Sequence, residues 1–435
     1  MIAYGSGAIT IEAGTDLRTG ASRTSVMTGA HLRRRAWMWH LVVLGSIAAP
    51  LLLLILSLCG FSGALATRLI DPLITSIAAD FATSVGVVAL LSSAFALPFG
   101  LSQPFLGPIG DSIGKTWVIK VATAVLALCL LASALAPGLT ILFISRVFGG
   151  VAAGGIMPVC MALIGDSFPL AVRQVAMSRY IGATLVGQLV GVSLGGIVAE
   201  WIGWRGVLGC AAGLGMLAAV AAITMLPRSA QSPTPLRVDE AAARYRLVLG
   251  NPRSFVCFGV VFLEGLAIYG VTPFIGDLLQ SRGAGGLREA GFVIGGLGIG
   301  GLLYAFVVPV ILRFAKRPAM MAAGGLIAAM GLGGVGLEVA WTVQMVCMIV
   351  LGFGFFLLHN SVQTEVTELA PSARASSFSL HAFSFFMGQA LGPIVYGIAL
   401  PGVGAAATLA GGAAVMAATG LAASKLLGPP SRQDD

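Results

Sequence analysis

Charge is what this sequence has least of. Its 435 residues include 25 Lys and Arg and 17 Asp and Glu, one residue in ten, while 57% are hydrophobic. A soluble domain needs far more polar surface than that to cover its core, so lipid is the expected solvent for most of the chain. The mean hydropathy of +0.96 is that of a polytopic membrane protein. Histidine is scarcer still: the four residues stand far apart with no metal-ligand spacing, and neither a metal nor another cofactor is expected. The six cysteines, one per apolar stretch, show no paired spacing and read as small buried hydrophobes. No cleavable signal peptide is evident. A nucleotide-phosphate loop is missing as well, because Gly114-Lys115-Thr116 would need a glycine at position 109, where Ile109 stands. That argues against an ATP-driven pump, and no catalytic constellation suggests an enzyme. The net charge of +8 is scattered over separate loops, so it signals topology and not a nucleic-acid partner.

Apolar runs, by contrast, abound. Stretches of about 20 residues are long enough to cross the roughly 30 Å hydrocarbon layer. Twelve can be placed, at 44–70, 84–106, 117–136, 139–164, 176–199 and 205–226, then at 253–276, 288–312, 318–337, 340–362, 376–399 and 404–425. Lys and Arg near span ends stay on the cytoplasmic side, and twenty of the 25 fall on one side. This predicts a multi-pass protein of the cell (inner) membrane with both termini cytoplasmic. Residues 1–40, rich in Gly, Ser and Thr, read as a disordered tail ending in the topological anchor Arg33-Arg34-Arg35. Residues 227–252 read as a cytoplasmic linker holding one short amphipathic helix, and 426–435 as a cytoplasmic tail. Two six-helix bundles remain, 41–226 and 253–425.

Those bundles are copies of one another. Gly187-Gln188-Leu189-Val190-Gly191 returns 201 positions later as Gly388-Gln389-Ala390-Leu391-Gly392, and the same offset carries Pro72 onto Pro273, Pro108 onto Pro309, Lys115 onto Lys316 and Arg173 onto Arg374. Parallel halves around a central site are a plan of secondary transporters that work by alternating access.

The segment Gly107-Pro108-Ile109-Gly110-Asp111-Ser112-Ile113-Gly114-Lys115-Thr116 lies between the second and third spans. It resembles the signature loop of the major facilitator superfamily, Gly-x-Leu-x-Asp-Arg-x-Gly-Arg-Lys, with Ser112 where the family has Arg. The resemblance implies an all-α membrane protein of twelve transmembrane helices in two pseudo-symmetric halves, and a cytoplasmic latch that uses Asp111 among Gly107, Gly114 and Lys115. Arg146, with Gly150 and Gly154 along one helix stripe, matches the family's fourth-span motif, in which the arginine is associated with proton coupling. Gly187, Gln188, Gly191, Gly195 and Gly196 are similar to the glycine-rich fifth-span motif of drug:proton antiporters, although Val192 stands where the antiporters have Pro. That proline is present in the other copy, as Pro393 after Gly392. Small residues every fourth position suit the interface on which the halves would rock.

Ionisable residues inside spans are costly and are functional candidates by default. Arg68 and Asp71 share a helix face, either as a local ion pair or as a substrate or proton site. Glu264 has no cation near it in sequence and is the best single candidate for the coupling residue. In the family, spans 1, 4, 7 and 10 line the central cavity, so the resemblance gathers Arg68, Asp71, Arg146 and Glu264 around one space. Gln188 and Gln389 could bond between the halves. Tyr269, His381 and Asn360 are candidates for the substrate cavity, with packing as the competing explanation for each. The sum is a monomeric carrier of a small organic compound, exporting it in exchange for protons. Proton-symport uptake of a sugar or organic acid, and a non-transporting receptor or scaffold on the same fold, stay open.

Overall fold

The computed structural model describes residues 9–12, 24–27, 29–227 and 238–428; in residues 9–48 and at Gly107, Pro108, Asp111, Leu194 and Val238 the description covers the backbone alone. The chain forms two compact units, Met1–Leu54 and Ile55–Asp435. In the first, where the sequence suggests an unstructured tail, strands β1 (Ile9–Glu12) and β2 (Thr24–Met27) pair antiparallel. Helix α1 (Gly29–Arg68) then begins well before the expected start of the first span.

Among its described residues the second unit holds helices and no strand. Among the described residues, twelve helical stretches are long and apolar enough to cross a membrane, from Ala49–Asp80 to Ala405–Leu426. In lipid every backbone N–H and C=O must find its partner within the chain, which is why an apolar sequence of this length resolves into helices. The first copy comprises α1, α2 (Ile74–Asp80), α3 (Val85–Ile113), α4 (Lys115–Ala134), α5 (Leu139–Ser167) and α6 (Leu170–Met225). After α7 (Val238–Leu249), the second copy follows as α8 (Arg253–Val271), α9 (Ile275–Ser281), α10 (Leu287–Phe314), α11 (Arg317–Val335), α12 (Trp341–Glu368), α13 (Arg374–Val403) and α14 (Ala405–Leu426).

The element ends differ from the expected spans in ways that trace to single residues. Pro72 lies just past the expected first span and Pro273 inside the expected seventh, and each sits in a one-turn 3-10 segment, Asp71–Leu73 and Thr272–Phe274, after which the helix resumes as α2 or α9. A proline in the first turn loses no hydrogen bond that the helix was using, so it bends the span without ending it. The expected loop at 107–116 shrinks to one residue: α3 runs to Ile113 and α4 starts at Lys115. Gly114 makes the break with φ 101°, a conformation that a side chain would strain. Gly203, at φ 68°, divides the long α6 into its two spans in the same way. Of the six cysteines expected to be buried, Cys210 is exposed, and Cys129 and Cys347 are half-buried.

Four of the duplicated glycines, Gly187, Gly191, Gly388 and Gly392, pack within each half and not at the rocking interface. A Cβ at Gly187 or Gly191 would strike the backbone of Phe61 or Leu65 in α1, and one at Gly388 or Gly392 would strike that of Phe262 or Leu266 in α8. Phe61 and Leu65 lie 201 positions before Phe262 and Leu266, so one helix crossing is built twice. Without water to expel, close backbone approach and dispersion hold such a crossing together. Gly388→Val should overpack it by about 1–3 kcal/mol or more and lower the thermal midpoint in detergent. Gly402→Ala, with open space around its Cβ, should leave the midpoint unchanged.

The halves meet along α3 with α13 and along α6 with α10, two contacts that the repeat makes equivalent. Phe99 and Phe386 rings lie 4.0 Å apart in the first. Gly196 faces Gly291 in the second, so of the glycine motif this residue serves the interface between halves, while Gly195 rests on Leu69 and Pro72. Helix α7 touches both halves: Tyr245 donates to the Pro104 carbonyl of α3 at 2.7 Å, and just past its end Asn251 donates to that of Leu369, after α12, at 3.0 Å.

Candidate functional site

The two proline bends bring the copies together at one point. Thr272 donates to Asp71 at 2.9 Å, and these residues are 201 positions apart, so each is the other's counterpart. Residues related by a pseudo-two-fold that touch one another must lie beside its axis. Asp71 also accepts from Ser92 at 2.6 Å and from Arg68 at 3.4 Å, and all four side chains are buried. Arg68 extends the cluster into the second half by donating to Gln389 and by stacking its guanidinium 3.8 Å above the Tyr269 ring. The pair that sequence spacing leaves open between local and functional thus ties one half to the other. A buried charge needs such partners, since breaking a buried pair costs far more than forming it yields.

Arg146 takes a different place from the one the family resemblance implies. It donates to the carbonyls of Ala66 at 2.9 Å and Leu91 at 3.4 Å and lies 4.1 Å above the Phe95 ring, locking α1, α3 and α5 to each other. It does not line the central cavity. Gly150 and Gly154 let α5 approach Phe95 and Phe99 of α3 closely enough for this.

In the second half, Glu264 is fully buried and its Oε2 lies 2.7 Å from His359 Nδ1. The Nε2 of His359 stands 3.4 Å from that of His381, and Glu264 Oε1 and His381 Nδ1 have no hydrogen-bond partner. Sequence reasoning misses this chain because 95 residues separate Glu264 from His359. The repeat held a usable signal: the counterparts of Glu264, His359 and His381 are Gly63, Pro158 and Tyr180, so the glutamate and both histidines occur in one copy only. Phe355 and Phe385 pack on the His359 ring and keep it in place.

Between the halves lies a cavity of about 220 Å³. Arg68, Gln188, Tyr269, His359 and Gln389 supply its polar wall; Phe99, Phe355, Phe356, Phe385 and Phe386 supply much of the rest. Tyr269 is thus part of the cavity wall. Glu264 and His381 stand behind His359 and outside this wall, and Asn360 lies beside Tyr304. Pro393 is in α13 next to Gly392, which abuts Gly270. Lys115 pairs with Asp166 at 2.6 Å, whereas the surroundings of Gly107 and the side chain of Asp111, with the latch assigned to it, lie outside the described residues. Among the described residues no group of three or more His, Cys, Asp or Glu side chains could hold a metal ion.

A sequence model described as Major Facilitator Superfamily matches residues 56–393. The MFS-type transporter YfhI of Bacillus subtilis is 25% identical over 374 residues, covering 85% of this chain and 92% of that protein. Multidrug resistance protein D of Escherichia coli is 29% identical over 229 residues, 51% of this chain and 55% of that protein. Among solved structures, the nucleoside transporter NupG superposes with a TM-score of 0.68 at 18% identity, covering 85% of this chain and 99% of that one, a likeness of fold.

Proposed function

The chain belongs to the major facilitator superfamily, and from that premise we propose that it exports a small organic compound in exchange for protons, with Glu264 and His359 as the proton site. It is an integral, multi-pass membrane transporter and not an enzyme. The observation that carries the coupling proposal is the Glu264–His359 contact at the cavity wall. One proton on that hydrogen bond can reside on either partner, and His359 alone of the two meets the cavity. An ionised carboxylate in so dry a place is costly, so its protonation state has leverage over the packing of α8, α12 and α13. A proton shifts a conformational equilibrium only through different affinities in its states, and a site closed in one state and wetted in the other supplies that difference. Residues 41–226 would then rock against 253–425 about the axis beside Asp71 and Thr272, in an inner membrane with both termini cytoplasmic.

The aromatic wall supports an apolar or amphipathic cargo, and the relative named as a multidrug resistance protein supports the outward direction. Proteoliposomes with an imposed pH gradient, challenged with a panel of apolar and amphipathic dyes, should show proton movement that depends on dye. Cells making the protein should retain less dye than cells without it. Dye movement with no accompanying proton flux overturns the coupling, and greater retention overturns the direction.

A further inference from the structure

Helices α6 and α10 part in mid-membrane, between 182–192 on one and 294–305 on the other, and leave a crevice of about 260 Å³. Its origin is local. Gly295 and Gly298 face α6 and Gly301 faces α12, so on this stretch of α10 glycines alternate with Ile294, Leu297, Leu302 and Ala305; a Cβ at Gly298 would run into Leu189, and one at Gly301 into the Phe356 ring. The mouth lies on the outside of the bundle, flanked by Val186 and Leu302, which are 52% and 44% exposed. Leucines 185, 189 and 297 make the walls apolar, and the inner end reaches Arg68, Gln188, Tyr269 and Thr272. Five residues, Arg68, Leu185, Gln188, Tyr269 and Phe356, line both this crevice and the central cavity, so one layer of side chains separates them.

A gap between helices is not by itself a site, but this one ends on an unmet donor. Arg68 is 4% exposed, and its Nε has no hydrogen-bond partner although its other two nitrogens are bonded. A buried donor without a partner favours whatever acceptor can reach it. Asp71 already balances the charge of Arg68, so an uncharged acceptor satisfies the site without carrying a new ion into a dry crevice. Apolar walls open to lipid, with an acceptor-seeking polar end, fit a molecule of matching polarity.

We propose that the crevice admits a single-chain amphiphile with a neutral, hydrogen-bond-accepting head directly from the bilayer, the chain lying between α6 and α10 and the head at Arg68. This names the cargo class of the exporter and rests on that reading for the passage that follows, while occupancy is measured without transport.

The test uses the full chain in proteoliposomes with a photoreactive monoacylglycerol, its diazirine close to the ester, and with the alkylammonium of equal chain length. After irradiation, the ester probe should label the peptides holding Gln188, Tyr269 and Thr272; the latter two are 5% and 1% exposed and cannot be reached by bulk lipid. The ammonium, which has no acceptor, should label them about tenfold less, the worth of one charge-assisted hydrogen bond. Val186→Trp with Leu302→Trp, at exposed positions where the fold tolerates bulk, should suppress the ester signal at all three residues while labelling of the lipid-facing Phe306 persists. Equal labelling by the ammonium, or labelling confined to lipid-facing residues, overturns the site. Labelling that survives the Trp pair overturns the lateral route, since the head then arrives through the central cavity. Labelling as expected in a protein that moves no protons would leave the crevice standing and remove the coupling.

Discussion

Glu264→Gln is expected to abolish transport driven by a pH gradient while exchange of substrate down its own gradient continues. Glutamine keeps the size of the side chain and can still hydrogen-bond His359 Nδ1. What disappears is the group whose charge changes. At one proton per substrate, each pH unit across the membrane is worth about 1.4 kcal/mol, a tenfold substrate gradient, and the variant should lose all of it. Uphill accumulation and counterflow, measured side by side in proteoliposomes, separate loss of coupling from loss of the protein. A variant that still accumulates substrate under an imposed gradient removes Glu264 from the coupling role. The fold should survive the change, because a neutral amide is less costly in this dry place than an ionised carboxylate.

The second large effect is on stability. Asp71→Ala removes the acceptor shared by Arg68, Ser92 and Thr272 and leaves Arg68 buried with only Gln389 and the Tyr269 ring. Breaking a buried pair from one side costs about 3–5 kcal/mol. The thermal midpoint in detergent should fall sharply, and Arg68→Met combined with Asp71→Ala should recover part of the loss, because the stranded charge is then gone. A contrast is available at Lys115–Asp166, where the aspartate is 49% exposed and the pair should be worth at most about 1 kcal/mol. If Asp71→Ala costs no more than that, water reaches the axis and the cluster is not the dry clamp described above.

Architecture was legible from the sequence because its signals are redundant. Hydropathy fixes the spans, and the 201-residue offset recurs at several independent positions, so an error at one element end changes nothing. The ends themselves were not legible: the first span was expected to close at residue 70, but a 3-10 turn absorbs Pro72 and the helix resumes to Asp80. For the site, residue type was informative and partnership was not. A buried Glu, Arg or Asp announces itself by its cost in lipid, which is why Arg68, Asp71, Arg146 and Glu264 stand out. Which groups satisfy them depends on how helices far apart in the chain face each other. Arg146 is met by two carbonyls and a ring, neither visible in the residue code. His359 resembles any packing histidine until α12 is seen beside α8. The duplicated glycines mislead in another way, since their spacing shows that a close crossing exists but not which helix is crossed.

The Asp71–Thr272 bond on the pseudo-axis bears on the ancestry of the chain. In a dimer of identical six-helix subunits, a residue at this point meets its own copy. Aspartate would face aspartate and repel; threonine would face threonine with no charge for Arg68. An acid hydrogen-bonded to a hydroxyl therefore requires the two positions to be encoded separately. A chain that carries both copies encodes the two positions separately, and with them the sorting of Arg68, Arg146 and Asp71 to one bundle and of Glu264 and the two histidines to the other.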